Sequence, residues 1–360
     1  MNLGNILIRA DASPEIGTGH IMRCLALAQA WQDAGGTATF LMAKSTPSLQ
    51  TRLAAEGCKV VVIAVVPGGN EDADLTNGWA STIEAEWVVV DGYAFDAKYQ
   101  KRLRGHERKL LCVDDAGECG RYVADIVLNQ NATAAQDIYA NCLSSTQLLL
   151  GPSFCLLRRE FTPWRKWQRK ISAMGCNVVV TLGGSTPAEA GVRVMESLGR
   201  AKVACLHAIF VVGGSSTNVA ALESCAAKLS EKISIRRDVS NMAELMAHAD
   251  VAISAAGSTC WELCLLGLPS ILISVADNQT PVAIELERRG CMVYAGRGNI
   301  VSPDEFARIL ENLLASPAAR KSMSHQCRQL VDGLGAERVV SKMRESVCQA
   351  LSEGTRSARA

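Results

Sequence analysis

The feature that most constrains this chain is a repeated rhythm of short apolar runs, each closed by a polar residue and followed by a helical stretch. Trp87-Val88-Val89-Val90-Asp91 is the clearest case. A continuous β-branched run with no polar alternation is how a strand buried on both faces of a parallel sheet reads. Candidate strands in the first half are Asn5–Arg9, Thr37–Ala43, Lys59–Ile63, Trp87–Asp91, Leu110–Asp114 and Ile126–Asn129. Between them lie helices such as 21–34, stopped by Gly35-Gly36. The rhythm restarts at Asn177 with strands at 177–182, 207–212, 233–236, 251–254, 270–273 and 292–295. Helices at 187–198, 218–229, 242–249, 260–266 and 280–289 separate them. Alternating β and α in two successive blocks predicts an α/β chain with two doubly wound, Rossmann-like domains facing each other across a cleft.

Domain limits follow from composition. Residues 152–170 hold two Pro, two Trp and six Arg or Lys, a shift that marks a linker. The expected division is an N-terminal domain over 1–151, a linker over 152–175, a second domain over 176–335, and a terminal helix and tail over 336–360. The basic linker reads as a solvated face rather than a polyanion site.

Charge narrows the function. Lys plus Arg number 37 against 36 Asp plus Glu, a net charge of +1, so no basic field exists to hold nucleic acid. No apolar run approaches the ~20 residues that span a bilayer. The opening stretch reads as a strand rather than a leader peptide, which predicts a cytoplasmic protein without a membrane partner. The 14 cysteines are scattered in apolar surroundings with no Cys-x-x-Cys, the pattern of unpaired core thiols in a reducing compartment. Cys260 and Cys264 could share a helix face, but zinc needs three or four ligands and no His or second Cys pair stands near them in sequence. No metal is expected.

In open parallel sheets, ligands bind where strand C-termini lead into helix N-termini. After the first strand comes Ile16-Gly17-Thr18-Gly19-His20-Ile21-Met22-Arg23. Two glycines let backbone N–H groups approach a ligand, and the helix that follows suits an anion. Met22 stands where the dinucleotide fingerprint has its third glycine, and the second strand runs into Lys44 rather than an acid, so NAD and FAD are excluded. No phosphate-binding Gly-x4-Gly-Lys-Ser/Thr occurs. No cofactor is expected. His20 stands at the loop-to-helix junction, where an imidazole could take a proton from water or could merely bond the backbone. In the second half, Gly183-Gly184-Ser185 and Ala255-Ala256-Gly257-Ser258-Thr259 are small-residue turns before helices, the makings of a neutral phosphate cradle. Glu262 suits ribose hydroxyls or simply the helix dipole, and Asp277-Asn278-Gln279 is a polar strand end or a turn and cap.

These residues also resemble a known family. Arg9-x-Asp11-x-Ser13-x-x-Ile16-Gly17-x-Gly19-His20-x-x-Arg23 is similar to the opening signature of the PseG family, UDP-2,4-diacetamido-2,4,6-trideoxy-β-L-altropyranose hydrolases of pseudaminic acid biosynthesis. The likeness continues through Val90-Asp91-Gly92-Tyr93, Val113-Asp114-Asp115, Leu128-Asn129-Gln130-Asn131, Gly151-Pro152, Gly183-Gly184, Asn241-Met242-Ala243, 255–262 and Asp277-Asn278-Gln279. Its second-half blocks are shared with the wider GT-B glycosyltransferases, the MurG-like ones included. A departure is Ser185, where many members carry Asp after the paired glycines.

The resemblance implies a GT-B fold and metal-independent, inverting hydrolysis of a UDP-sugar in the nonulosonic acid route that supplies flagellin glycosylation. His20, Tyr93 and Asn278 match the family's catalytic or sugar-side residues. Ser258 and Thr259 would hold the pyrophosphate, Glu262 the ribose, and backbone near Val239 the uracil. Arg9, Asp11, Gly17, Gly19, Arg23, Gly183, Gly184, Gly257 and Gln279 complete the expected substrate contacts. A monomer is expected, since a single chain supplies both halves. Two alternatives stay open: a UDP-sugar glycosyltransferase with a hydroxyl acceptor, and a non-catalytic UDP-sugar-binding protein.

Overall fold

A computed structural model describes residues 3–13, 16–104, 108–117, 119–183, 186–213, 219–229, 232–237, 239–298 and 301–357, with side chains as far as 347. Two compact units emerge. The first gathers the chain up to Ala12, His20–Arg159 and the chain from Leu334 on; the second gathers Ser13–Gly19 and Glu160–Gly333.

In chain order the first unit contains β1 (Asn5–Ala10), α1 (Gly19–Asp33), β2 (Thr37–Met42), α2 (Pro47–Ala55), β3 (Lys59–Val62), α3 (Asn70–Thr82), β4 (Ala85–Asp91), α4 (Ala97–Leu103), β5 (Lys109–Val113), β6 (Ile126–Asn129) and β7 (Gln147–Leu150). Its sheet has the order β3-β2-β1-β4-β5-β6-β7, and every pairing is parallel. Alternation along the buried strands fills two cores at once. Ile6 and Ile8 of β1 face one cluster with Trp31, Phe40, Trp87 and Val89, while Leu7 faces the other with Leu41, Val88 and Val90. Each such side chain withdrawn from water contributes about 1.5–3 kcal/mol before entropy is counted.

The second unit contains β8 (Asn177–Thr181), α5 (Ala188–Arg200), β9 (His207–Val212), α6 (Val219–Leu229), β10 (Ile233–Arg237), α7 (Met242–His248), β11 (Val251–Ala255), α8 (Thr259–Leu265), β12 (Ser270–Ser274), α9 (Gln279–Arg288), β13 (Val293–Arg297), α10 (Pro303–Ala315) and α11 (Pro317–Leu330). Its parallel sheet has the order β10-β9-β8-β11-β12-β13. The final helix α12 (Gly335–Ser357) returns to the first unit, where Ala336, Val339, Val340 and Met343 join the β1–α1 core. Gly335 permits that return, because a Cβ there would meet the Cys155 carbonyl oxygen at 2.2 Å.

The linker differs from its expected form. From Glu160 onward it is built into the second unit; Lys166 and Lys170 are exposed as expected, but Arg169 is structural. Arg169 is clamped by backbone carbonyls at two helix ends, donating to Met246 (2.9 Å) and Ala247 (3.3 Å) of α7 and to Leu266 (3.2 Å) after α8. Burial depresses its guanidinium to about 10, only partly offset by Asp250. Carbonyls at a helix C-terminus carry partial negative charge, so they hold a cation without a carboxylate. Arg328 of α11 holds the other side of the linker, donating to the carbonyls of Arg165 and Leu265, each at 2.6 Å.

The cysteine expectation is also corrected. Cys176 and Cys205 form a disulfide, their Cα atoms 5.3 Å apart, between the start of β8 and the turn before β9. Those positions are adjacent because β8 pairs with β9 from Asn177↔His207. No helix among the described residues is long and apolar enough to cross a membrane.

Candidate functional site

In each sheet the strand order reverses direction beside the first strand of the unit, between β1 and β4 and between β8 and β11. Such switch points open crevices at strand C-termini, where loops diverge. Most of the residues singled out in the sequence lie on loops after the strands that flank these two places, while Val239 follows the edge strand β10.

At the first switch point, Ala10 pairs with Asp91 at the strand ends. The loop after β1 is tied by a bridge from Ser13 to Gly17, with the Gly17 N–H donating to the Ser13 carbonyl at 2.7 Å. Gly17 has φ +77°, a conformation that favours glycine. His20 follows in the first turn of α1 with 11% of its side chain exposed. Its Nδ1 edge lies 4.0 Å from Asp91 Oδ1, and its ring meets Tyr93 edge-on with centroids 5.2 Å apart. Tyr93 itself is exposed.

One turn further along α1, Arg23 is buried and binds two carboxylates. Its Nε and one terminal nitrogen donate to both oxygens of Asp91 at 2.7 and 2.6 Å, and the other terminal nitrogen donates to Asp115 at 2.6 Å. Burial would lower the Arg23 pKa, but the charges of Asp115 and Asp91 raise it well above the ordinary range. Burial would likewise raise Asp115, yet the Arg23 charge and hydrogen bond bring that carboxyl below the usual range. Both groups are therefore ionised at neutral pH. The Cys24 thiol also donates to Asp91, at 3.3 Å.

Arg9 forms a second clamp. It is fully buried, donates to both oxygens of Asp72 at 2.8 and 3.0 Å, and lies 2.8 Å from Asp11. Asp11 accepts in turn from the backbone of Ala43 and Lys44 at 2.7 and 2.9 Å. Arg9, Asp11 and Arg23, expected among the substrate contacts, are all buried and engaged with partners within the protein. Arg9 is matched by Asp72 and Asp11 at the end of β1, and Arg23, on α1, by Asp91 and Asp115. Sequence alone gives no role to these partners: Asp72 lies in the first turn of α3 with no motif around it, whereas Asp91 and Asp115 close or follow buried apolar runs, the one available signal.

At the second switch point, Gly183 follows β8 with φ +86°, and among the described residues beyond its chain neighbours no atom lies within 4 Å of where a Cβ would stand. Gly184, Ser185 and Asn218 lie outside the described residues. After β11, Gly257, Ser258 and Thr259 are half-buried at the start of α8, while Cys260, Trp261, Cys264 and Leu265 anchor its inner face. Glu262 sits half-buried in the same first turn. After β12, Gln279 caps the turn by accepting the Val275 N–H at 3.0 Å, and Asn278 is exposed at the start of α9. Gln279 Nε2 comes within 3.9 Å of where a Gly257 Cβ would stand, so the two loops are neighbours. A hydroxyl relay, Thr280 to Ser274 (3.1 Å) and Ser274 to Tyr294 (2.7 Å), fixes this corner and was not legible in the sequence. Asp277 is held by Arg297. Val239, expected near uracil, is half-buried before α7. Among the described residues no group of three or more His, Cys, Asp or Glu is arranged to hold a metal ion.

Two parallel-sheet α/β domains of this topology make the GT-B fold, and the solved structures agree. MurG of Acinetobacter baumannii superposes with a TM-score of 0.65 at 17% identity, covering 95% of this chain and 99% of that one. Residues 178–339 match the model of the glycosyltransferase family 28 C-terminal domain, which covers the second sheet and its loops. In sequence, the protein MJ1062 of Methanocaldococcus jannaschii is 26% identical over 276 residues, and the chain spans little more than half of it: 74% of this chain against 55% of that protein. The UDP-2,4-diacetamido-2,4,6-trideoxy-β-L-altropyranose hydrolase of Campylobacter jejuni is 25% identical over 289 residues, 79% of this chain and 97% of that one.

Proposed function

We propose that this chain is an enzyme that hydrolyses a UDP-linked sugar at its anomeric carbon, with UDP-2,4-diacetamido-2,4,6-trideoxy-β-L-altropyranose as its substrate. The observation that carries the reading is His20: a partly exposed imidazole at a helix start, its Nδ1 edge toward a buried carboxylate and its ring in edge-on contact with Tyr93. That arrangement leaves Nε2 to act as general base. Water attacks the anomeric carbon, its proton passes to His20, and the bond from that carbon to the phosphate oxygen breaks, so the configuration inverts. UDP leaves as a phosphate anion, and backbone N–H groups around Ser258 and Thr259 stabilise it. Glu262 takes the ribose hydroxyls and Asn278 the sugar. Because UDP is already a good leaving group, no second carboxylic acid is needed, unlike most glycosidases. The name of the Campylobacter relative supports the substrate.

A transferase reading is favoured by the match of residues 178–339 to a glycosyltransferase domain. One experiment separates the two: incubation with the UDP-sugar alone, followed by NMR. The hydrolase releases stoichiometric UDP and a free sugar of inverted configuration without acceptor; UDP release only on adding an acceptor would overturn it. His20→Asn is expected to lower kcat by about 10²–10⁴-fold.

A further inference from the structure

The double acid Asp114-Asp115, which the proposed chemistry leaves unused, is held by many hydrogen bonds. Asp114 accepts the hydroxyls of Tyr122 and Tyr139, each at 2.6 Å, and the Gly117 N–H at 2.7 Å. The Asp115 carbonyl accepts from Asn129 and Asn131, each at 3.0 Å. The Asp115 side chain is then fixed through Oδ1, which receives Arg23 at 2.6 Å and Asn131 at 3.2 Å. Its other oxygen, Oδ2, is 3.5 Å from the Tyr93 hydroxyl, and the side chain keeps 17% exposure. Asp91 alone would neutralise and orient Arg23, since it already accepts two of its N–H groups. A second carboxylate is surplus to that need. Two carboxylates on one guanidinium leave one net negative charge, and His20 Nδ1 stands 4.0 Å from Asp91, one of the two.

We propose that Asp115 is the positioning residue of this site: anchored by Arg23 and Asn131, it holds, through the Tyr93 hydroxyl, the ring that packs against the imidazole, and the carboxylate pair it forms with Asp91 compensates the charge His20 acquires with its proton. The chemistry rests on the hydrolase reading; the placement does not. Compensation of this kind is strong in a partly desolvated site and acts only once the proton has moved, so it lowers the barrier without tightening substrate binding.

The test is a double-mutant cycle on the full chain with the diacetamido UDP-sugar. Asp115→Asn keeps shape and leaves Arg23 with Asp91. It is expected to lower kcat about 10–100-fold with KM changed less than about three-fold. In a His20→Asn background the same change is expected to cost less than about two-fold, because the group it serves is gone. Asp115→Glu, which keeps the charge, is expected to recover part of the lost kcat. Equal losses in both backgrounds, or a kcat for Asp115→Asn within about two-fold of the parent, would overturn the assignment. Should the parent release UDP only with an acceptor, the hydrolase reading fails while the cycle, run on that turnover, still judges Asp115. A readout free of turnover is the His20 imidazole ¹⁵N signal, identified by its loss in His20→Asn: Asp115→Asn moves it if the assignment holds, and an unmoved signal refutes it.

Discussion

Removing Asp72 tests whether Arg9 is a core clamp or a ligand-binding residue. Asp72 is fully buried and accepts from Arg9 twice, from the Gly68 N–H at 2.8 Å and from the Tyr99 hydroxyl at 3.2 Å. Asp72→Ala strands a buried guanidinium, a loss of roughly 3–5 kcal/mol when a buried pair is broken from one side. Asp11, still 2.8 Å from Arg9, keeps the cost near the lower end. The orphaned Gly68 N–H adds about 1 kcal/mol, for a total near 4. At about 2–4 °C per kcal/mol for a unit of this size, the first unit's melting point falls by roughly 8–16 °C. Differential scanning calorimetry should show this in one transition only, that of the first unit. The diagnostic is the second step. Adding Arg9→Met to Asp72→Ala removes the stranded charge, so the double variant should melt higher than the single one. A double variant that melts lower would refute the clamp, since each residue would then be contributing separately.

Other outcomes follow from the same contacts. Reducing Cys176–Cys205, or replacing both with serine, should lower the stability of the second unit by about 3–4 kcal/mol for a 29-residue separation and leave the first transition in place. Asp115 and Asp250 both titrate below the ordinary range when folded, Asp115 because Arg23 outweighs burial and Asp250 because the backbone N–H groups of Asn177 and Cys176 do. A depressed folded pKa supplies stability above the unfolded value of about 3.9, lost as pH falls through the folded value. Acid melts should therefore steepen below about pH 4, and Asp250→Asn should flatten that dependence in the second unit. Gly335→Ala forces a Cβ against the Cys155 carbonyl at 2.2 Å. It should detach α12 from the first core at a cost of about 1–3 kcal/mol, seen as faster proteolysis after Leu334.

The strands were legible because parallel sheets bury both faces, and a run such as 87–91 has no other easy use. All six strands of the second unit are read from such runs. In the first, β7 escapes notice because Gln147-Leu148-Leu149-Leu150 is short and follows a polar turn, and only its pairing with β6 makes it a strand. The linker was misread for a different reason. Arg169 finds backbone carbonyls as partners, and a carbonyl at a helix end leaves no trace in residue type. The disulfide has the same character: 29 residues separate its cysteines, and adjacency comes only from the register of β8 against β9. At the site, glycines and His20 are visible because turn chemistry is local. Which charges face a ligand and which face each other depends on strand order, and a motif cannot say.

That last distinction reorganises the site. The opening signature carries four ionisable groups, Arg9, Asp11, His20 and Arg23, within fifteen residues, and they divide by where their strand or helix turn points. Arg9 and Asp11 close the end of β1 against β2 and α3. Arg23 turns inward from α1 to join β4 and the loop after β5. His20 lies one turn earlier on the same helix, so it rides on the element that Arg23 pins down, and residues three or four apart share a helix face. The two arginines therefore hold a fixed charged floor, beside which lie the imidazole, Tyr93 and the Asp115 carboxylate. Preorganisation of this kind costs nothing at the moment of reaction, because the charges were fixed when the sheet formed. An arginine signature next to a candidate base need not be a substrate grip; here it is the frame that keeps the base in place.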